Sequence, residues 1–287
     1  MCGIAGMVSL RRDLATREDA VNRMVQRQQH RGPDDRGLHS DGPATLGMCR
    51  LAIIDPANGH QPMVSPDGRF TLVFNGAIYN YRALQTELAL GGWNFRTNCD
   101  TEVLLEIMRR EGLKGLAKLN GQFAFAYYDE TKETLIVARD RLGILPLYYH
   151  IGPDFFAFAS EIKALLPAVG EPVLDDSAVE EYLTYRSVPP PRTLFKGIRK
   201  LAPGTVLHIG KDGSLREEVY WSLPARQTGD LLTGQAAIDA VDRKLQEAVA
   251  LRLVADVPVG AYLSGGLDSS LTVALMKKLR EGGEVQT

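Results

Sequence analysis

Cysteine is scarce in this chain, and the few present do not pair off. Cys2, Cys49 and Cys99 are the only three, an odd, low count that argues against a disulfide framework. They form no CxxC or clustered Cys/His pattern of the kind that holds zinc. No apolar run approaches the roughly 20 residues of a bilayer-spanning helix. The N-terminus lacks the charged-then-apolar pattern of a secretory signal, so a cytoplasmic protein is expected. Neither sign of charge is in excess: 33 Lys and Arg stand against 35 Asp and Glu, for a net −2. Bulk electrostatics therefore gives no case for nucleic acid or membrane as partner. Internal repeats and low-complexity tracts are missing too. What remains is an ordinary globular composition, 45% hydrophobic and 24% charged over 287 residues, enough for one or two domains.

Residues 4–9 (IAGMVS) read as a short buried strand. "TREDAVNRMVQRQQHRG" reads as a helix capped by Thr16 with Asp19 three residues on, and with Val21, Met24 and Val25 on one face. "HRGPDDRG" reads as a polar loop. "FTLVFNG" is expected to be a strand ending in a turn at Asn75-Gly76. "NYRALQTELALGG" is expected to be a helix capped by Asn80 and stopped by Gly91 and Gly92, and Asp100 to Gly112 repeats that grammar. "GQFAFAYYD" with "ETLIVARD", and "LPLYYHIGPDFFAFAS", are hairpin signals. Antiparallel strands mixed with a few helices make this part α+β.

The grammar changes after residues 219–234, a predicted linker carrying Pro224, Gly229 and Gly234. "AIDAVDRKLQEAVALRL" reads as an amphipathic helix with Ile238, Val241, Leu245, Val249 and Leu253 on one side. "VPVGAYL" reads as a buried strand, "SGGLDSS" as a glycine-rich loop, "LTVALMKKLREGG" as a helix and "EVQT" as the start of a second strand. Strand, loop, helix opens a parallel α/β domain. A sheet of one strand and part of another cannot be buried, so residues 235–287 are expected to be an incomplete domain of that class.

Four constellations carry chemistry. Cys2 becomes the first residue once Met1 is removed, and then holds a thiol beside a free α-amine. That amine, with a pKa of about 7.7–8.0, can act as base for the thiol. The alternative is a chance residue at a frayed terminus. Asn75 and Gly76 offer amide donors for an oxyanion, or are simply a hairpin turn. Arg50 suits bidentate carboxylate binding, and Asp100 is an anionic acceptor or else a helix N-cap. A cationic fork and a carboxylate together would suit an α-amino acid zwitterion. In "SGGLDSS", Gly265 and Gly266 permit close backbone approach, and Ser264, Ser269 and Ser270 with the helix N-terminus supply donors for a phosphate. The pattern lacks the GK[ST] of a Walker loop; the alternative is a plain tight turn between strand and helix.

Taken together and in order, "MCGIAG", "HRGPDD", "CRLAIID", "FNGAIYNY", "DTEV", "GQFAFAYYD", "ARDRLGILPLYY", "SEIKALL", "FKGIRKLAPGT" and "LSGGLDSS" resemble the asparagine synthetase (glutamine-hydrolysing) family. The resemblance implies an N-terminal nucleophile hydrolase fold, a four-layer α-β-β-α sandwich over residues 2–218. It is followed by the start of an ATP pyrophosphatase-type domain. It implies that Cys2 attacks the side-chain amide of glutamine and releases ammonia, with Asn75 and Gly76 as oxyanion hole. It further implies a glutamine site of Arg50, Ile54, Asn75, Gly76 and Asp100. Leu263, Ser264, Gly265, Gly266, Leu267, Asp268 and Ser269 would hold ATP, used with Mg as a substrate of the complete synthetase half. No tightly bound cofactor and no structural metal is implied. The acceptor would be a carboxylate such as aspartate, and since the family often forms dimers, a homodimer is compatible with it.

Two departures stand out. The family reads Asn-Gly-Glu-Ile-Tyr-Asn where this chain has Ala77, so an acid near the substrate amine is missing. The synthetase half of a full member also continues well beyond what this sequence holds. The competing expectations are an amide-forming relative with another acceptor, and a non-catalytic remnant that binds glutamine or dimerises.

Overall fold

The computed structural model describes residues 1–11, 18–225, 231–280 and 284–287. Its contacts divide the chain into two compact units, Met1–Ser222 and Leu223–Thr287. In chain order the elements are β1 (Gly3–Ser9), α1 (Glu18–Gln26), β2 (Asp35–Asp41), β3 (Ala44–Arg50), β4 (Met63–Val64), β5 (Phe70–Ile78), α2 (Tyr81–Leu90), α3 (Asp100–Glu111), β6 (Gly121–Asp129), β7 (Thr134–Arg139), β8 (Tyr148–Ile151), β9 (Phe155–Ala159), α4 (Ile162–Val169), α5 (Asp176–Tyr185), β10 (Ile198–Lys200), β11 (Thr205–Ile209), β12 (Leu215–Val219), α6 (Gly234–Arg252) and α7 (Leu267–Leu279). Short 3₁₀ turns add Gln29–Arg31 and Gly112–Lys118.

The strands form two six-stranded sheets, ordered β10-β8-β9-β1-β3-β2 and β12-β11-β7-β6-β5-β4. Every pairing within them is antiparallel. Period-2 alternation explains the layering. In β1, Ile4 and Val8 point to the core between the sheets, with Phe156 and Phe158 of β9 and Leu46 and Met48 of β3. Ala5 and Met7 point the other way, against Val21, Met24 and Val25 of α1 and Ala164 and Leu165 of α4. Gly6 is required in this packing, because a Cβ there would stand 2.5 Å from the Phe158 ring. Helix α3 covers the second sheet along β5, and α2 packs against α3. The arrangement is the expected α-β-β-α sandwich.

Local readings fared unevenly. Helix α1 buries Val21, Met24 and Val25 as its spacing predicts, while its predicted cap, Thr16, lies outside the described residues, as does Gly229 of the predicted linker. Asn80 does occupy the N-cap position of α2 but makes no capping bond. Its carboxamide instead bridges the Asn120 N–H and the Lys118 carbonyl. Asn75-Gly76 is no turn: β5 runs through it to Ile78, with Asn75 opposite Ala124 and Gly76 opposite Phe123. "HRGPDDRG" closes a 3₁₀ turn at Arg31, is irregular only over residues 32–34, and enters β2 at Asp35.

In the second unit α6 forms as predicted, but its apolar stripe is not buried. Ile238 is 61% exposed, Val241 59% and Leu245 38%, and Leu253 lies just past the helix end. Helix α7 buries Leu275 and Met276. Neither "VPVGAYL" nor "EVQT" is a strand. One backbone hydrogen bond joins them, Ala261 N–H to the Gln286 carbonyl at 2.9 Å. A strand needs a ladder of such bonds along its length, and one does not make a sheet.

Candidate active site

The first unit builds its site where β1, β3, β5 and α3 begin or end. Cys2 lies just before β1, half-buried against the inter-sheet core. Its Sγ accepts a hydrogen bond from the Leu51 N–H at 3.4 Å and faces the Leu51 carbonyl at 3.7 Å. Burial pushes the thiol pKa up, against the pull of the Leu51 hydrogen bond and of the nearby terminal amine and Arg50. The resting sulfur is therefore a thiol that needs a base, unlike an activated thiolate. Burial also lowers the pKa of the α-amine at Met1, an amine distinct from the one Cys2 carries once Met1 is removed.

Arg50 closes β3 and is itself buried. Its guanidinium donates to the carbonyls of Ile54 at 3.0 Å, Asp55 at 2.9 Å and Pro56 at 3.0 Å. This turns the 54–56 segment around the guanidinium and leaves it two of its five N–H groups. Gly59 is needed there, since a Cβ would collide with the Arg50 Nη2 and lie 2.9 Å from the Cys99 sulfur. Asp55, at φ 44°, anchors the loop: it accepts from the Asn98 N–H at 2.8 Å and from Asn58. Burial opposes its ionisation, but these hydrogen bonds outweigh that and hold its carboxyl below the usual range. Ile54 thus enters through its carbonyl, which Arg50 and the Cys99 thiol share.

Asp100 is the first residue of α3; the N-cap position belongs to Cys99. Its buried carboxylate accepts from the Ile78 N–H at 3.0 Å and from the Cys99 thiol at 3.5 Å. Among the described residues it makes no ion pair. Burial raises its pKa to about 6, and burial with the Asp100 charge pushes Cys99 up to about 12. A buried carboxylate without a cation is costly unless a ligand supplies one. Ala77, beside Ile78, brings no second acid.

The sheet edge explains the remaining donors. Phe123 gives both its backbone groups to Asp140, so Gly76 opposite it directs its N–H away from β6. Strand β4 pairs only with Thr71 and Leu72. On that free stretch of edge, the Phe74 N–H goes to Gln61 Oε1 at 2.7 Å and the Ile78 N–H to Asp100. Gly76 N–H lies between them. A Cβ at Gly76 would strike the Gln122 carbonyl and come within 2.9 Å of the Phe123 backbone. The carboxamide of Asn75 is buried, with neither Nδ2 nor Oδ1 hydrogen-bonded. Native proteins rarely leave such groups unpaired.

The sequence-predicted residues of this site therefore converge: Arg50 and Asp100 both act electrostatically on Cys2, and Asp100 and Gly76 share one strand edge. Sequence reasoning missed Arg31, whose Nε donates to the Cys2 carbonyl at 2.9 Å. It also gave no role to Ser160 and Glu161, which open the "SEIKALL" motif more than 150 residues from Cys2.

In the second unit, Gly266 is the N-cap of α7 and makes no capping hydrogen bond, and Gly265 has φ 80°. Ser264 Oγ lies 3.0 Å from Ser269 Oγ and 3.4 Å from the Gly266 N–H. A Cβ at Gly265 would meet open space. Uncapped first-turn N–H groups, two hydroxyls and an open approach are a donor set that fits a phosphate. Leu263, Leu267 and Asp268 flank it, and Ser270 lies within the first turn. Among the described residues no group of three His, Cys, Asp or Glu is placed to hold a metal, and no helix is long and apolar enough to cross a membrane.

Comparison with known proteins follows the same division. Residues 1–221 match the family model described as glutamine amidotransferase domain, and residues 240–287 match that described as asparagine synthase. The chain is 37% identical to asparagine synthetase [glutamine-hydrolyzing] 1 of Bacillus subtilis over 97% of its length and 44% of that protein. It is 34% identical to a putative asparagine synthetase [glutamine-hydrolyzing] of Methanocaldococcus jannaschii over all of its length and 59% of the relative. The chain thus spans about half the length of the curated relatives it matches. Among solved structures, glutamine phosphoribosylpyrophosphate amidotransferase from B. subtilis aligns with TM-score 0.60 at 20% identity, over 98% of this chain and 64% of the other. At that identity the likeness concerns the fold, that of the N-terminal nucleophile hydrolases. With its family match covering residues 1–221, the chain belongs to the glutamine amidotransferase domain family.

Proposed function

We propose that the first unit hydrolyses glutamine to glutamate and ammonia, with Cys2 as nucleophile. The observation that carries this reading is the buried Asn75 carboxamide with no partner, beside a Gly76 N–H aimed off the sheet edge. Once Met1 is removed, the α-amine of Cys2 takes the thiol proton. Sγ then attacks the side-chain amide carbon of glutamine. Asn75 Nδ2 and Gly76 N–H receive the oxyanion. The amine returns its proton to the departing nitrogen, ammonia leaves, and water hydrolyses the glutamyl thioester. Arg50, through the donors not engaged by residues 54–56, holds the substrate α-carboxylate, and Asp100 receives the α-ammonium. With Ala77 at the neighbouring position, Asp100 carries that charge alone.

In a longer protein of the asparagine synthetase type, the ammonia would be used for ATP-dependent amidation of a carboxylate such as aspartate. The loop from Leu263 to Ser269 would hold the nucleotide phosphates through its hydroxyls and the first-turn N–H groups of α7. A homodimer is compatible with the same family assignment, and a cytoplasmic location is consistent with it.

Glutamate release from glutamine tests the reading. Cys2→Ala is expected to lower it by at least about 10³-fold with the melting temperature unchanged. Substantial residual turnover in that variant refutes the assignment.

A further inference from the structure

A nucleophile on a first residue has one peptide bond to fix it, where an internal residue has two, and chain ends fray unless tied down. Strand β1 begins only at Gly3, so the Cys2 carbonyl lies outside the ladder. Arg31 holds it, Nε to O at 2.9 Å. Arg31 is in turn held by Glu161, Nη1 to Oε1 at 3.0 Å. The same Oε1 meets His30 Nε2 at 2.9 Å, and the other carboxylate oxygen faces Lys163 Nζ at 3.2 Å. The Arg31 and Glu161 side chains are only 10% and 22% exposed, against 52% for His30 and 51% for Lys163. The adjacent Ser160 grips the next residues of the strand: its Oγ accepts from the Ile4 N–H at 3.0 Å, and its own N–H donates to the Ile4 carbonyl at 2.9 Å. Serine and glutamate side by side, at the entry to α4, thus tie down the strand that begins with the nucleophile.

We propose that Glu161 is a positioning residue for the Cys2 nucleophile, acting through Arg31. Glu161 fixes the guanidinium with one of its Nη groups, and Nε then fixes the Cys2 carbonyl. With the Leu51 N–H on Sγ, the residue is held at two points across its Cα, which sets the direction of the thiol. A charged carboxylate suits this role because bonds between ionised groups hold geometry more tightly than neutral ones. Catalysis is sensitive to displacements of this size: a shift of about 1 Å can cost on the order of 10²-fold.

The proposal rests on Cys2 being the nucleophile, so its test has one arm that needs turnover and one that does not. Glutamate release and Cys2 alkylation by iodoacetamide, read by mass spectrometry with Cys49 and Cys99 as internal references, are compared in the wild type, Glu161→Ala, Glu161→Gln and His30→Ala. Glu161→Ala is expected to lower kcat about tenfold or more with KM within about twofold. It is also expected to speed alkylation of Cys2 alone, by about threefold, as the thiol leaves its Leu51 contacts. Glu161→Gln, which keeps the acceptor oxygen, should recover most of both, and His30→Ala should match the wild type. Unchanged kcat and unchanged Cys2 alkylation in Glu161→Ala overturn the proposal. So does equal acceleration at all three cysteines with a lowered melting temperature, the mark of a merely structural residue. A wild-type chain that alkylates normally but releases no glutamate refutes the catalytic reading instead, and the alkylation arm then judges the clamp by the same criteria.

Discussion

The two units use similar local patterns to different ends. In the first, alternation along β1 and β9 sends Ile4, Val8, Phe156 and Phe158 to one core and Ala5, Met7, Ala157 and Ala159 to another. In the second, α6 carries an equally regular stripe, yet no residue of that helix is buried. Periodicity specifies which element forms and which face is apolar. It does not specify that anything covers the face. The polar residues differ in the opposite sense. The first unit buries Asn75, Asp100 and Arg50 at a cost in stability, whereas the loop from Ser264 to Ser270 keeps its hydroxyls near the surface. A unit with a large core can tolerate buried, poorly paired polar groups, and that tolerance is what makes an oxyanion or zwitterion site feasible.

Four substitutions would sharpen or break this contrast. Phe158→Ala, in the inter-sheet core, should destabilise the first unit by about 3–5 kcal/mol in denaturant unfolding; a loss under about 1 kcal/mol would show that this core is not what stabilises it. Asn75→Ala should lower kcat by about 10²–10³-fold, some 2.7–4 kcal/mol of barrier. Because it deletes two unpaired buried groups, it should not lower the melting temperature. A stability loss with kcat intact would make Asn75 a packing residue.

Asp100→Asn carries a pH signature. The folded pKa of about 6 lies above the ordinary 3.8, so the buried charge costs stability above pH 6 and costs none below about pH 4. The variant should therefore be more stable than wild type at pH 7, by of order 2–3 kcal/mol, and no more stable at acid pH. Its KM for glutamine should rise. In the wild type, KM should rise as pH falls through 6 and Asp100 takes up a proton. A pH-independent stability difference would contradict the account. The smallest effect is expected in α6: Leu245→Ser should change stability by less than about 0.5 kcal/mol, and a core-sized loss would mean the stripe is covered in solution.

Sequence patterns revealed β1, the three N-terminal helices and both hairpins because each has a local period. They did not reveal β2, whose residues Asp35–Asp41 sit at a sheet edge and alternate poorly. Nor did they reveal β3, buried on both faces and so without a polar phase. Asn75-Gly76 has the chemistry of a turn, but pairing with Ala124 and Phe123 overrides it. The strand read at "VPVGAYL" needed a partner strand that a local pattern cannot supply. In the site, Cys2, Arg50 and Asp100 were legible as residue types with a task. Their convergence was legible only through the family resemblance, since the contacts are backbone bonds at Leu51, Ile54 and Ile78, which no side-chain pattern encodes. Arg31 and Glu161 stand in the "HRGPDD" and "SEIKALL" motifs, but their role was not legible for the same reason: the partner of each lies across the fold.

The central claim is that one residue supplies both nucleophile and base. The direct measurement compares glutamate release by chain that mass spectrometry shows to begin at Cys2 with release by chain that retains Met1. The account predicts turnover from the first and essentially none from the second. Equal rates, or no glutamate from folded protein beginning at Cys2, would contradict it.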